Sequence, residues 1–448
     1  MRKLFGTDGI RGVAGVAPLD KRTIFAIGIA LAHHMKGNGS TPRIVLGMDT
    51  RESSEWIAAA ITAGLHQGGA DVENAGVITT PAIAYLARTH GFSAGIVISA
   101  SHNPWEDNGI KVFGPDGYKL ADTTELAIEE EIFRYLASGQ SDIDTQIAPT
   151  VEEKDRTEYV LALRSAVEGL SLDGRTIVVD CANGAASSVA AQVFAGFGGE
   201  VHIHNASPNG RNINEGCGAL HPEVVAKMVV DEKADLGITF DGDADRALFA
   251  DEHGNVVNGD AVMLLAARDL KERGLLHDSL VVATTMSNMG LEAALKRSGI
   301  DMLRAPVGDK YVLEQMQKTQ ASLGGEQSGH ILFRGRSTTG DGLLTALLVL
   351  DIVHRSGKSL GELTSDLKVF PQVIVNVKVR EKKPLESITT VAAAIADAER
   401  ELMDTGRVVI RYSGTETLAR VMIEAEDEAS MRRHADAIAN AIRAEIGL

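Results

Sequence analysis

The chain has 448 residues, with 44 Lys and Arg against 61 Asp and Glu, for a formal charge of −17. That length predicts roughly two to four domains with ample core, and 44% hydrophobic residues with only 11 Pro exclude wholesale disorder. Two Cys exclude a disulfide framework and a Cys-rich zinc or iron–sulfur site and suggest a reducing compartment, while the acidic balance argues against non-specific nucleic-acid binding. No signal peptide is readable at the start, and the longest apolar stretch, Leu343–Val353, is too short to span a membrane and contains Asp351. A soluble cytoplasmic protein is expected.

Unbroken β-rich runs alternate with helical stretches along most of the chain. Arg43–Gly47, Thr176–Asp180 and Leu280–Thr284 read as buried strands, the pattern of parallel or mixed sheets covered on both faces. Ser53–His66 and Pro222–Val230 read as intervening helices, and Asp341–His354 as another stopped at Gly357. A weak repeat aligns Ala94–Ser101, Leu236–Asp243 and Leu323–His330 on Gly95, Gly237 and Gly324. Each unit presents a short buried segment and then a polar loop, and three such loops at equivalent sheet edges could converge on one site; chance recurrence of Gly before an apolar run explains the repeat equally well. After Pro371 the character changes. Gln372–Val379, Arg407–Arg411 and Ala419–Ala425 read as strands, and Ser387–Met403 and Glu428–Ile446 as amphipathic helices, forming a separate α+β unit.

Asp241-Gly-Asp-Ala-Asp-Arg246 is the strongest local signal. Three carboxylates at alternating positions can fold around one hard cation, and an all-oxygen set favours Mg²⁺ or Ca²⁺ over zinc. A solvated acidic turn is the alternative, disfavoured by the buried lead-in Leu236–Phe240. In Ser99-Ala-Ser-His-Asn-Pro104, Ser101 could be a nucleophile, a phosphate carrier or a cap residue, and His102 a phosphate contact or a surface histidine. The lack of a Gly-x-Ser-x-Gly elbow argues against an α/β-hydrolase. Gly325-Glu-Gln-Ser-Gly-His330 suits recognition of sugar hydroxyls, with His330 placed for proton transfer, or is an ordinary polar turn. Arg411-Tyr-Ser-Gly-Thr-Glu-Thr417 combines a guanidinium, hydroxyls and a glycine-freed backbone as a phosphate cradle or, more simply, a hairpin connection. Arg11, Lys111, Arg246 and Arg411 could supply the local cations an acidic protein needs for an anionic substrate. Ser356-Gly-Lys-Ser359 mimics the end of a P-loop but follows a helix, so Gly357 reads as its C-cap.

Taken together, and in their order from Phe5-Gly-Thr-Asp-Gly-Ile-Arg-Gly12 to about Ala425, these loops resemble the α-D-phosphohexomutase superfamily. Phe5–Gly12, Gly325–His330 and Thr338-Thr-Gly-Asp-Gly342 are most similar to its bacterial phosphoglucosamine mutase branch. The resemblance implies an α/β fold of four domains around a central cleft, three similar mixed α/β domains and a C-terminal α+β domain. Divisions are expected at 1–152, 153–254, 255–368 and 369–448, carrying in turn the phosphoserine, metal, sugar and phosphate loops. It further implies interconversion of glucosamine 6-phosphate and glucosamine 1-phosphate for UDP-N-acetylglucosamine synthesis. Ser101 would carry the phosphoryl group, and Asp241, Asp243 and Asp245, with the phosphoserine oxygen, would hold Mg²⁺. Arg11, Arg246, Lys111 and His330 would serve the reaction centre, Glu326 and Ser328 the sugar hydroxyls, and Arg411, Ser413, Gly414 and Thr415 the non-reacting phosphate. Glucosamine 1,6-bisphosphate would be the intermediate and activator, and the partners a phosphorylated amino sugar and a second copy in a homodimer, with neither nucleic acid nor membrane.

Three positions depart from the family pattern: Thr417 in place of a proline, Met48 in place of an arginine, and Gly218-Ala-Leu-His221 in place of Gly-Ser-Thr-His. None touches the serine or metal loop. The alternatives are a phosphomannomutase/phosphoglucomutase, since a 2-amino group and a 2-hydroxyl are near-isosteres, and a metal-dependent sugar phosphatase.

Overall fold

Four sheets account for the strands, in a computed structural model that describes residues 4–6, 8–36, 40–139, 151–413 and 417–448. The first sheet holds β1 (Ile10–Val13), β2 (Arg43–Met48), β3 (Asp71–Val77), β4 (Ala94–Ile98) and β5 (Asp107–Phe113) in the order β1-β5-β4-β2-β3, with α1 (Lys21–His34), α2 (Ser54–Gln67), α3 (Thr80–Thr89) and α4 (Asp122–Ala137). The next segment opens with α5 (Glu153–Ser165). Its strands β6 (Thr176–Asp180), β7 (Glu200–His204), β8 (Leu236–Phe240), β9 (Ala247–Ala250) and β10 (Val256–Val257) take the order β10-β9-β8-β6-β7, with α6 (Ala190–Phe194) and α7 (Pro222–Glu232).

The third segment begins with α8 (Gly259–Glu272). Its strands β11 (Leu280–Thr284), β12 (Asp301–Ala305), β13 (Leu323–Gly325) and β14 (Ile331–Phe333) order as β12-β11-β13-β14, with α9 (Met289–Arg297), α10 (Asp309–Thr319), α11 (Gly342–Ser356) and α12 (Leu360–Thr364). The last sheet is antiparallel, β15 (Gln372–Lys378), β17 (Leu418–Ala425) and β16 (Gly406–Tyr412) in that spatial order, with α13 (Thr389–Leu402) and α14 (Glu428–Ile446). This is the expected three mixed α/β sheets and one α+β unit. Contacts divide the chain into one unit of Met1–Thr285 with Leu303–Thr364 and a second of Met286–Met302 with Ser365–Leu448. Residues 286–302, including α9, thus group with the C-terminal segment although they lie inside the third segment in sequence.

The internal repeat has a structural basis. In each mixed sheet a parallel strand carrying the glycine (β4, β8, β13) pairs antiparallel with the next strand, and the polar loop joins the two. A Cβ on Gly95 would lie 2.8 Å from Ile83 of α3, one on Gly237 2.7 Å from Val229 of α7, and one on Gly324 2.6 Å from Met316 of α10. The glycine lets the preceding helix pack directly on its strand, which holds the following loop at the same height on each sheet. Ser101, Asp243 and His330 occupy the three loops.

The smaller unit buries one sheet face. Val377, Val421 and Ile423 pack with Val391, Ile438 and Ile442 of α13 and α14. The alternate residues of the strands point the other way, and there Ile374 is 57% and Val409 39% exposed.

Candidate active site

The serine loop is fastened from behind. Arg51, wholly buried at the end of β2, pairs with Asp49 at 2.8 Å and donates to the carbonyl oxygens of Ser101 and Asn103 at 2.9 Å each, and to that of Pro104. Asn214 adds a bond to the Ser101 carbonyl at 3.0 Å. Ser99 Oγ donates to Asp49 at 2.6 Å and accepts from Ser101 N at 2.9 Å. This frame holds Ser101 at φ 53°, a left-handed conformation costly for a residue with a Cβ. The result is a buried hydroxyl donating to Asp241 Oδ2 at 2.5 Å.

The metal loop meets it at van der Waals distance. A Cβ on Gly242 would stand 2.4 Å from the Ser101 carbonyl oxygen, so glycine is required there. Asp241, Asp243 and Asp245 are buried, and each offers an oxygen within 4.8 Å of the others. Oδ1 of Asp243 and of Asp245 are buried and accept no hydrogen bond among the described residues. Burial, then the Asp245 and Asp243 carboxylates, push Asp241 well above the ordinary carboxylate range. Orphaned carboxylate oxygens in a self-repelling, all-oxygen set are what a hard divalent cation satisfies, so the residues fit Mg²⁺. Thr80, at the start of α3, donates its hydroxyl to the Asp243 carboxylate and its backbone N–H to the Asp243 carbonyl oxygen, the latter at 3.0 Å.

Lys111 lies beside the triad on β5, its Nζ 2.8 Å from Asp243, 3.1 Å from Asp8 and 3.3 Å from Asp245. Burial acts to lower its pKa, but the three carboxylates outweigh it and hold the ammonium well above the usual lysine range. His330 is buried on the other side. Its Nε2 accepts from Gly340 N at 3.0 Å, which leaves the ring proton on Nδ1, 3.7 Å from Asp245. A Cβ on Gly340 would meet that ring at 2.6 Å. His102 lies 3.4 Å from Ser101 Oγ, and burial followed by Arg246 and Arg11 pushes it down to about 4, leaving a neutral imidazole at physiological pH.

In front lies a polar cavity of about 410 Å³ lined by Arg11, His102, Asp245, Arg246, Glu326 and His330, among others. Nε of both Arg11 and Arg246 is buried without a hydrogen-bond partner among the described residues, that of Arg246 3.7 Å from Asp245 Oδ1, and both guanidinium groups bring positive charge to the cavity wall. Glu326 is oriented by Gly308 N at 3.1 Å and Ser328 Oγ at 3.3 Å. The larger unit therefore brings together Ser101, Lys111, Asp241, Asp243, Asp245, Arg246, Arg11, Glu326 and His330, with Ser328 behind Glu326. Arg411 and Ser413 belong to the smaller unit. There Arg411 is exposed opposite Arg420, and Ser413 N donates to Leu418 O at 2.8 Å. Gly414 and Thr415 lie outside the described residues.

Sequence reasoning missed Asp8, Thr80, Lys119, Asn214 and Asp309, and assigned no role to Asp49 and Arg51. A buried Asp-x-Arg at the end of a strand was the available signal for the last pair.

Comparison with known proteins matches four domain models across the chain. They are phosphoglucomutase/phosphomannomutase alpha/beta/alpha domains I, II and III at residues 2–138, 157–254 and 258–370, and the C-terminal domain at 374–441. A phosphoglucosamine mutase of Koribacter versatilis is 61% identical over 454 residues, covering 100% of this chain and 98% of the relative. A phosphoglucomutase/phosphomannomutase family protein from Burkholderia thailandensis superposes with a TM-score of 0.79 at 22% identity, each chain covered in full (100%). The Aspergillus fumigatus N-acetylphosphoglucosamine mutase in complex with GlcNAc-6P and magnesium gives 0.63 at 20%, covering 99% of this chain and 96% of that one. No helix of the described residues is long and apolar enough to cross a membrane. With all four domain models matched in order and a near-full-length relative at that identity, the chain belongs to the phosphoglucomutase/phosphomannomutase family, and within it to the phosphoglucosamine mutases.

Proposed function

We propose that the protein interconverts glucosamine 6-phosphate and glucosamine 1-phosphate, with Ser101 as phosphoryl carrier and glucosamine 1,6-bisphosphate as intermediate and activator. The observation that carries this reading is the Ser101 hydroxyl, held in a left-handed turn 2.5 Å from Asp241, beside a polar cavity into whose lining Arg11 and Arg246 bring positive charge.

Asp241, Asp243 and Asp245, with an oxygen of the phosphorylated serine, would hold Mg²⁺. When bound, the cation neutralises negative charge on the transferring phosphoryl group. In the first half-reaction the P–O bond to Ser101 breaks as one forms to the free sugar hydroxyl. The hydroxyl proton passes to a base, for which His330 and Lys111 are the candidates, Lys111 only when Mg²⁺ takes up the charge of the Asp243 and Asp245 carboxylates that otherwise hold it as an ammonium. The serine oxygen regains a proton and its bond to Asp241. Arg11 and Arg246, whose guanidinium groups line the cavity, would orient the reacting phosphate. Most of the rate enhancement then comes from positioning and fixed charge.

The bisphosphate turns in the site and its other phosphate returns to Ser101, so the sugar must be read from either end. Glu326 and Ser328 would contact its hydroxyls. Arg411, Ser413, Gly414 and Thr415 would grip the phosphate that is not reacting. The domain division at 152, 254 and 368 belongs to the same reading, as do a cytoplasmic location and a homodimer. The −17 charge supports a protein that engages neither nucleic acid nor an anionic membrane surface.

Phosphorus NMR of the protein with Mg²⁺, a trace of sugar 1,6-bisphosphate and one hexose phosphate at a time tests this. Glucosamine 6-phosphate should convert fastest to its 1-phosphate, ahead of mannose and glucose 6-phosphates, and Ser101→Ala should abolish conversion while sugar phosphate still binds. Faster turnover of mannose or glucose phosphate would move the specificity to phosphomannomutase/phosphoglucomutase. Release of inorganic phosphate alone would mean a phosphatase.

A further inference from the structure

Six buried or half-buried groups form a closed ring beside the reaction centre, in which three carboxylates alternate with two lysines and a histidine. Asp8 meets Lys111 at 3.1 Å, Lys111 meets Asp245 at 3.3 Å, and Asp245 faces His330 Nδ1 at 3.7 Å. His330 Nε2 faces Asp309 at 3.7 Å, Asp309 pairs with Lys119, and Lys119 returns to the second oxygen of Asp8. Members come from all three mixed-sheet segments: Asp8, Lys111 and Lys119 from the first, Asp245 from the second, His330 and Asp309 from the third. Lys111, Asp245 and His330 serve the reaction or the metal. Lys119 touches none of the three; its carboxylate partners are Asp8 and Asp309.

Lys119 is delivered with little freedom. It follows β5, the strand of Lys111, and bridges back to Phe113. The turn between them is closed by Gly114 N to Tyr118 O at 2.8 Å and held from the third segment by Thr338 Oγ1, which donates to Gly117 O at 2.6 Å. The Lys119 side chain is 17% exposed, as is that of Asp309. An ammonium so far out of water is tolerated only between compensating carboxylates. Asp8 retains Lys111 and Arg11 if Lys119 is lost, whereas among the described residues Asp309 is left with no lysine or arginine partner, only the His330 ring 3.7 Å away. The two carboxylates would then repel one another, and both lean on groups at the reaction centre.

We propose that Lys119 is a positioning residue: by closing this ring through Asp8 and Asp309 it sets Lys111 and His330 relative to Ser101, and so acts on the chemical step rather than on substrate binding. The inference rests on the mutase reading of the site. A second pair across the same segments, Lys310 with Asp122, is more exposed and lies outside the ring, which makes it a control for simple attachment of the segments.

The test is steady-state kinetics of Lys119→Met, Lys119→Arg, Asp309→Asn, the Lys119→Met/Asp309→Asn double variant and Lys310→Met. Each is assayed with whichever of the three hexose 6-phosphates the wild-type protein turns over fastest, so a mistaken substrate assignment leaves this comparison intact. Lys119→Met should lower kcat about 30-fold with KM within about threefold, and Lys119→Arg should recover most of the loss. Lys310→Met should keep wild-type kcat. The double variant should be within about twofold of the worse single, because both changes break one link. A Lys119→Met kcat within about twofold of wild type, or losses that multiply in the double variant, would overturn the proposal. Should Lys119→Met not fold, near-isosteric Asp309→Asn decides alone: about a tenfold fall in kcat supports the ring, and wild-type kcat refutes it.

Discussion

The loop that carries Ser101 and the sheet that carries Arg411 are built in opposite ways. Around Ser101 the carbonyl oxygens of Ser101, Asn103 and Pro104 are bound by Arg51, those of Ser101 and Asn103 by Asn214 as well, and the backbone is held in a conformation it would not choose. The sheet of the smaller unit packs one face on two helices and leaves Ile374, Val409 and Arg411 exposed on the other. The difference matches the proposed division of labour. Phosphoryl transfer needs one oxygen placed to within a fraction of an ångström, while a phosphate that must be gripped in either orientation of the sugar is better met by exposed, adaptable donors.

The sharpest way to break that contrast is Arg51→Met. It strands the buried Asp49 carboxylate and removes the fastening of the serine loop. A stability loss of about 3–5 kcal/mol by urea denaturation is expected. In whatever fraction remains folded, kcat should fall by a factor of about 100 or more, with weaker effects on KM. Arg411→Gln should do the reverse. Removing one charge-assisted phosphate contact costs about 1.5–3 kcal/mol of binding, so kcat/KM should drop by roughly 10- to 100-fold. The thermal midpoint should stay unchanged, since an exposed edge arginine supports little of the fold.

The smaller of the two stability effects concerns a fastening inside the larger unit. Asp341 caps α11 through Leu344 N at 2.9 Å and accepts from Tyr159 OH at 3.0 Å. Burial nevertheless pushes its carboxyl up to about 6 from an ordinary 3.8. Between those values the folded protein holds a proton that the unfolded chain releases, so this group's contribution to stability falls as pH rises through the window. Asp341→Asn cannot titrate and keeps the cap. The wild-type stability measured relative to this variant should therefore decline between pH 4 and 6.5 by about 2–3 kcal/mol.

The same contrast explains how much could be read without coordinates. The serine and metal loops were legible because their chemistry is contiguous: Ser101 with its Asn-Pro turn, and three Asp at alternating positions behind a buried strand. The strands Thr176–Asp180, Leu236–Phe240 and Leu280–Thr284 and the helix Glu428–Ile446 match the structure residue for residue, because unbroken apolar runs and a long amphipathic period admit few other readings. The glycine repeat was visible, but its cause, a helix pressed on each strand, is a tertiary contact. What stayed hidden was the support. Asn214 reaches a carbonyl 113 positions away and Lys119 a carboxylate 190 positions away. Residues of that kind look like any surface polar residue until the fold buries them beside a partner.

The most direct test of the account is to incubate the protein with glucose 1,6-bisphosphate and Mg²⁺, digest it, and locate any phosphate by mass spectrometry. The account predicts one phosphorylated peptide with the group on Ser101, lost in Ser101→Ala and discharged when glucosamine 6-phosphate is added. Phosphate on another residue, or a Ser101→Ala protein that still turns over glucosamine 6-phosphate, would contradict it.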